Sequence, residues 1–136
     1  KLGADLVLGK DDNIVETILA HTNGKGVDNS CEFSGAPSAL SNTIHSTRMG
    51  GYVNVLSVYG SETTQVPMNE IVFRYLHVKG INGRKMWSTW DTMHELLSAG
   101  KIDIETLVTH RMPYEDFSSA MDLAISGDCG KVVLDF

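Results

Sequence analysis

Cysteine is scarce in this chain of 136 residues: Cys31 and Cys129 are its 2 cysteines, and neither belongs to a CxxC or CxxH cluster. That excludes the cysteine-based metal and redox motifs and fits reduced thiols in a cytoplasmic protein. Long apolar runs are also missing, since none approaches the roughly 20 residues of a membrane-spanning helix. Basic blocks are lacking, and a net charge of -6 leaves no electrostatic footprint for nucleic acid or an anionic membrane. The opening Lys1-Leu2-Gly3-Ala4-Asp5 shows neither an initiator Met nor a signal-peptide pattern, so the chain is expected to begin inside a longer sequence.

Several catalytic signatures are absent too. No serine lies in a GxSxG elbow, the nearest candidates being Ser34 in Phe-Ser-Gly-Ala and Ser57 in Leu-Ser-Val-Tyr. Neither a GxGxxG turn nor a Walker loop is present, so the phosphate-gripping half of a dinucleotide site is not in this chain. His21, His45, His77, His94 and His110 are scattered, without a His or Cys neighbour at metal-ligand spacing, and read as ordinary polar side chains. His110-Arg111 combines a titratable ring with a fixed cation, and a structural ion pair is its plainer reading. Cys31 reads as core packing in a buried strand and Cys129 as an incidental thiol in a terminal loop.

What the chain does contain is alternation. With 42% hydrophobic and 21% charged residues it is soluble and globular, and long enough for one domain with its own core. Leu6-Val7-Leu8 reads as a strand. Asp11-Asp12-Asn13 offers N-cap chemistry to a helix carrying Ile14, Val15, Ile18 and Leu19 on one face and ending at Asn23-Gly24. Val27–Phe33 is a second strand, Pro37–Met49 a helix closed by Gly50-Gly51, and Tyr52–Val58 a third, buried strand. Val66–Tyr75 is a short helix or link, and Leu76–Ile81 a strand. Met86, Trp90, Met93 and Leu97 mark a helix ended by Gly100. The rhythm then changes: Leu107–His110 reads as a strand, Phe117 to Ile125 as a helix ending at Gly127, and Lys131–Phe136 as a closing strand. Strands alternating with helices predict an α/β fold, a partial Rossmann-like doubly wound parallel sheet, with a boundary near Lys101-Ile102-Asp103.

Ligands of such sheets gather where strand C-terminal ends meet helix N-termini. The strand ends here are Phe33-Ser34-Gly35, Leu56-Ser57-Val58 and Ile81-Asn82-Gly83, which can line one half of a flat ligand with backbone groups and small side chains. Ser34-Gly35-Ala36-Pro37 is equally good punctuation: Gly bends, Ser caps and Pro suits a first helical turn. Arg84-Lys85 can reach a phosphate or a carboxylate, solvated charge at a helix start being the plainer reading.

Taken in order and spacing, Glu32-Phe33-Ser34-Gly35-Ala36-Pro37, Lys79-Gly80-Ile81-Asn82-Gly83-Arg84 with Trp87-Ser88-Thr89-Trp90, Thr109-His110-Arg111, and Ser126-Gly127-Asp128-Cys129-Gly130-Lys131-Val132-Val133 resemble the C-terminal part of the zinc-dependent medium-chain alcohol dehydrogenases. The resemblance implies a GroES-like catalytic domain with zinc and a Rossmann domain with NAD. Residues 1–106 would be the later part of the NAD-binding domain, and 107–136 the segment returning to the catalytic domain.

By the same resemblance Leu56, Ser57 and Val58 lie beside the nicotinamide, Ile81 and Asn82 form a second stretch there, and Ser34 and Gly35 lie near the cofactor's middle; Arg84, from its reach toward a phosphate, completes the expected cofactor-binding set. The family commonly has Gly where Ser57 stands, and an aromatic residue or Thr where Asn82 stands. The family's zinc ligands, acid-base residues and phosphate loop precede Lys1, so no catalytic or metal residue is expected in this chain. The implied parent is an NAD-dependent homo-oligomer oxidising a small-molecule substrate, the hydroxyl of L-threonine or another secondary alcohol or polyol. The chain alone is expected to be inactive and to self-associate through its sheet edges. A non-catalytic nucleotide- or protein-binding module is the alternative.

Overall fold

The computed structural model describes residues 3–9 and 11–136. They pack as two compact units, Leu6–Gly83 on the one hand and residues 3–5 with Arg84–Phe136 on the other.

In the first unit the order is α1 (Ile14–His21), β1 (Val27–Glu32), α2 (Pro37–Ser46), β2 (Thr47–Val55), α3 (Met68–Phe73) and β3 (His77–Gly80). The strands form one 3-stranded sheet in the order β1-β2-β3, with both pairs parallel. Parallel neighbours need crossovers, and α2 and α3 supply them. Leu40 and Ile44, four apart on one face of α2, bury against Val53 of β2 and Leu76, with Val55, Tyr59 and Ile71 packed around them. This small core holds α2 on the sheet, and with it the turn from which α2 starts.

The second unit runs α4 (Ser88–Ser98), a 3-10 turn at Glu105–Leu107, β4 (Val108–Pro113), a second 3-10 turn at Tyr114–Asp116, α5 (Phe117–Ser126) and β5 (Lys131–Asp135). β4 and β5 pair in parallel, and Ala120 of α5 is buried. Gly127 ends α5 in the left-handed conformation, as the sequence predicts. The fold is α/β, with parallel strands joined through helices.

Several expected elements differ. Leu6–Leu8 joins no ladder among the described residues, and Val7 is 83% exposed: an apolar triplet has strand propensity, but a strand exists only with a hydrogen-bonding neighbour. The caps expected of residues 11–13 do not form, because Asp12 Oδ2 accepts the Gly9 N–H (2.6 Å) and the Asn13 amide turns to Glu16. Helix α2 stops at Ser46 rather than Met49, and Gly50-Gly51 lies inside β2. The β1–β2 register jumps there, from Val27 opposite Thr47 to Asn29 opposite Tyr52. Gly50 takes φ +68° and donates its N–H to the Arg74 carbonyl (2.8 Å). Helix ends and irregular strands both call on glycine at positive φ, so the pair reads the same in sequence. Strand β2 also ends at Val55, so Leu56-Ser57-Val58 is loop. Cys31 is exposed on β1 and is not core.

Candidate functional site

Parallel register brings the strand ends of the first unit to one edge, with Glu32 opposite Val55 and Val55 opposite Gly80. The ladder continues one step further, as Leu56 N–H donates to the Glu32 carbonyl (3.0 Å) and Ile81 N–H to the Val55 carbonyl (2.8 Å). Ser34, Gly35, Leu56, Ser57, Val58, Ile81 and Asn82 therefore all stand in or just beyond the strand ends of a single sheet edge. Val58 is 90% exposed, and the neighbouring Leu56 side chain also reaches solvent. Arg84 opens the second unit, where its guanidinium lies 5.4 Å over the Trp90 ring.

At the centre of the edge is a residue that the sequence reading passed over. Glu32, the last residue of β1, is 2% exposed. Its Oε1 accepts the Ser34 N–H (2.7 Å), the Ser34 hydroxyl (2.7 Å) and the Gly35 N–H (3.1 Å). Its Oε2 accepts the Tyr59 hydroxyl (2.7 Å) and the Ser57 hydroxyl. Burial alone would raise the pKa of this carboxyl, but the hydrogen bonds from Ser34, Ser57 and Tyr59 favour the anion and bring it down to about 2. Tyr59 moves the other way, raised by burial and by the carboxylate that accepts its proton. The signal was present in sequence as an acid at a strand end followed by Ser-Gly. What was not visible was that Ser57 and Tyr59 close on the same carboxylate from another loop.

The small-residue turn thus has a definite role. Its N–H groups point inward at Glu32. Gly35, at φ +74°, sits so close to the next loop that a Cβ would fall 2.6 Å from the Val58 carbonyl oxygen. Ser34 does not cap α2 directly; its hydroxyl accepts the Ala36 N–H (3.2 Å), one residue before Pro37 opens the helix. A cleft of about 500 Å³ adjoins the turn between α1 and α2, lined by Ile14, Ile18, Val27, Ala39 and Ser46 among others and reaching Ser34. The Ser46 hydroxyl in it is buried and without a hydrogen-bond partner.

The other candidates are ordinary. His110 Nδ1 is 2.9 Å from the Thr109 hydroxyl, and Arg111 pairs with Asp135 (3.6 Å) and Glu105 (3.8 Å) in exposed contacts. His45 Nδ1 meets the Ser41 carbonyl (2.7 Å) one turn earlier on α2. Among the described residues no group of His, Cys, Asp and Glu could hold a metal ion, and no helix is long and apolar enough to cross a membrane.

Comparison with known proteins agrees with this architecture. The pattern of the zinc-binding dehydrogenase family matches residues 1–99. The chain is 39% identical to the L-threonine 3-dehydrogenase of Bacillus velezensis over 98% of its own length, and 36% identical to that of Pyrococcus horikoshii over the same share. It spans 39% of the length of each of these relatives. Among solved structures, 2R,3R-butanediol dehydrogenase from Bacillus subtilis superposes with a TM-score of 0.80 at 27% identity, over 93% of this chain and 36% of that one. The alcohol dehydrogenase TADH from Thermus sp. ATN1 shares the fold with a TM-score of 0.86 at 24% identity, over 98% of this chain and 39% of that one. The chain belongs to the zinc-binding dehydrogenase family.

Proposed function

We propose that the whole protein to which this chain contributes is an NAD-dependent, zinc-dependent dehydrogenase that oxidises the 3-hydroxyl of L-threonine to 2-amino-3-oxobutanoate. In this reading residues 1–106 are the later part of its NAD-binding domain, 107–136 return to its catalytic domain, and this chain supplies the nicotinamide-side contacts. The observation that carries the reading is the gathering of loops at the C-terminal edge of one parallel sheet, the place where such sheets take dinucleotides. The exposed apolar side chains of Leu56 and Val58 suit the face of a flat ring.

Bound at this edge, NAD would supply the acceptor for a hydride from the carbinol carbon, the hydroxyl proton going to base or solvent. This chain's part is to shape the edge with Leu56, Ser57, Val58, Ile81 and Asn82 and to exclude water from it. Arg84 is proposed as a contact for an anionic group of the cofactor. Zinc does not fit the described residues of this chain, whose His, Cys, Asp and Glu side chains form no suitable group.

The preference for threonine rests on similarity to the threonine dehydrogenases at 36% to 39% identity. Similarity to the butanediol dehydrogenase supports a second reading, a vicinal diol as substrate. Initial rates of NAD reduction by the whole protein, with L-threonine and with 2,3-butanediol, decide between them. A higher kcat/KM for threonine is expected; a higher value for the diol shifts the substrate, and no NAD reduction with either overturns the reading.

A further inference from the structure

We propose that Glu32 is a positioning residue, whose carboxylate fastens the turn at 33–36 to the loop at 56–59 and thereby sets the shape of the edge that meets the dinucleotide. The inference rests on the dehydrogenase reading given above and adds to it a residue that touches no substrate.

The argument starts from saturation. A carboxylate offers about four lone-pair positions. Here the donors are Ser34 N–H, Ser34 Oγ, Gly35 N–H, Ser57 Oγ and Tyr59 Oη. With those positions filled and its side chain buried, Glu32 has nothing left to offer a reacting proton, which rules it out as a general base. None of the ion pairs among the described residues includes it; among them its charge is met by oriented N–H and O–H dipoles.

Topology then gives the carboxylate its reach. Ser34 and Gly35 follow β1, whereas Ser57 and Tyr59 follow β2, 25 and 27 residues beyond Glu32 in sequence. The backbone ladder ends at the Leu56 N–H, so beyond it, among the described residues, Glu32 and the approach of Gly35 to Val58 tie these loops together. Loops without ladder bonds are held by side chains, and a misplacement of about 1 Å at a binding edge is costly. The same bonds fix what the edge shows a ligand: with the Ser34 and Gly35 N–H groups turned inward, the turn presents shape and apolar surface rather than anion-binding donors.

The test uses the whole protein with Glu32→Gln, which keeps the side-chain shape, and Tyr59→Phe, which removes one donor and spares Glu32. Dinucleotide Kd, KM for the alcohol, kcat, and hydrogen exchange of the Ser34 and Gly35 amides are measured. For Glu32→Gln we expect faster exchange at those amides and dinucleotide Kd raised roughly tenfold, with KM for the alcohol within about twofold of wild type, as loss of charge-assisted bonds at one edge implies. Tyr59→Phe shifts the same quantities in the same direction by a smaller factor.

Faster exchange with unchanged dinucleotide Kd in both variants overturns the inference, since the node would then be structural only. Equal losses in Kd and in KM for the alcohol overturn it as well. If the wild-type protein binds no dinucleotide, the functional reading fails and takes the inference with it. That outcome is recognisable because it needs no variant.

Discussion

The Tyr59 hydroxyl donates to Glu32 Oε2 at 2.7 Å, so that a side chain in the loop after β2 closes on the last residue of β1. One end of this bond is a buried anion and the other a phenol whose pKa is raised, so the proton stays on tyrosine throughout the neutral range. The arrangement ties stability to acid in a defined window.

In the folded state the Glu32 carboxyl titrates at about 2, against 4.5 for an ordinary glutamate, so the unfolded chain binds its proton first as pH falls. The stabilisation is therefore complete above about pH 4.5 and is lost as pH drops toward 2, and it amounts to about 3 kcal/mol. Urea unfolding from pH 7 to pH 2.5 should show this loss in wild type and a shallower dependence in Glu32→Gln. A parallel dependence in both proteins would mean that other carboxyls govern the acid limb.

Gly35 is expected to be intolerant of any side chain. Its φ of +74° costs an L-residue about 1–2 kcal/mol. The added Cβ would also meet the Val58 carbonyl oxygen at 2.6 Å, and that oxygen belongs to backbone that cannot swing aside. Gly35→Ala should lower the urea midpoint by the equivalent of about 2 kcal/mol or more. Gly60→Ala is the control: nothing lies within 4 Å of its Cβ position, and its midpoint should stay level or rise slightly.

How much of this was legible beforehand follows from the range of each interaction. Helices α1, α4 and α5 and strands β1, β3 and β4 announce themselves through local periodicity and through breakers such as Gly100 and Gly127, which both take positive φ. Parallel pairing followed from the alternation. The error at Gly50-Gly51 came from a residue pair whose conformational freedom serves two structures equally. Leu6–Leu8 failed because a strand is a property of two segments. At the edge, Ser34, Ser57 and their neighbours were found as strand ends, while the residue that organises them was missed. The fivefold convergence on Glu32 joins positions 32, 34, 35, 57 and 59, and no local pattern links the first group to the second.

Arg74 illustrates a second long-range device and a different prediction. From the C-terminal end of α3 its guanidinium donates to the carbonyls of Ile44 (3.3 Å), His45 (3.2 Å) and Thr47, where α2 gives way to β2. The Glu70 carboxylate, 3.5 Å away, steadies it from one turn earlier. A planar fork is preorganised to serve several carbonyls at once, whereas an ammonium on a flexible stem loses more freedom to do so. Arg74→Lys should cost about 1–2 kcal/mol in urea unfolding, despite the retained charge. A loss below about 0.5 kcal/mol would show that water replaces the guanidinium without penalty.

The chain on its own should lack dehydrogenase activity. Hydride transfer from an alcohol in a zinc-dependent enzyme needs a Lewis acid that polarises the hydroxyl and a site that grips the dinucleotide phosphates. The described residues contain no metal-binding group, and the glycine-rich phosphate turn is not in the sequence. The donors that could most easily have served an anion, the N–H groups of Ser34 and Gly35, are spent on Glu32. Incubating the purified 136-residue chain with L-threonine, NAD and added zinc, and following absorbance of the reduced nicotinamide, should give a rate equal to the protein-free blank. A rate above the blank that scales with protein concentration would require a complete site within these residues, and would force the edge loops to be reassigned from half of a cofactor site to the whole of one.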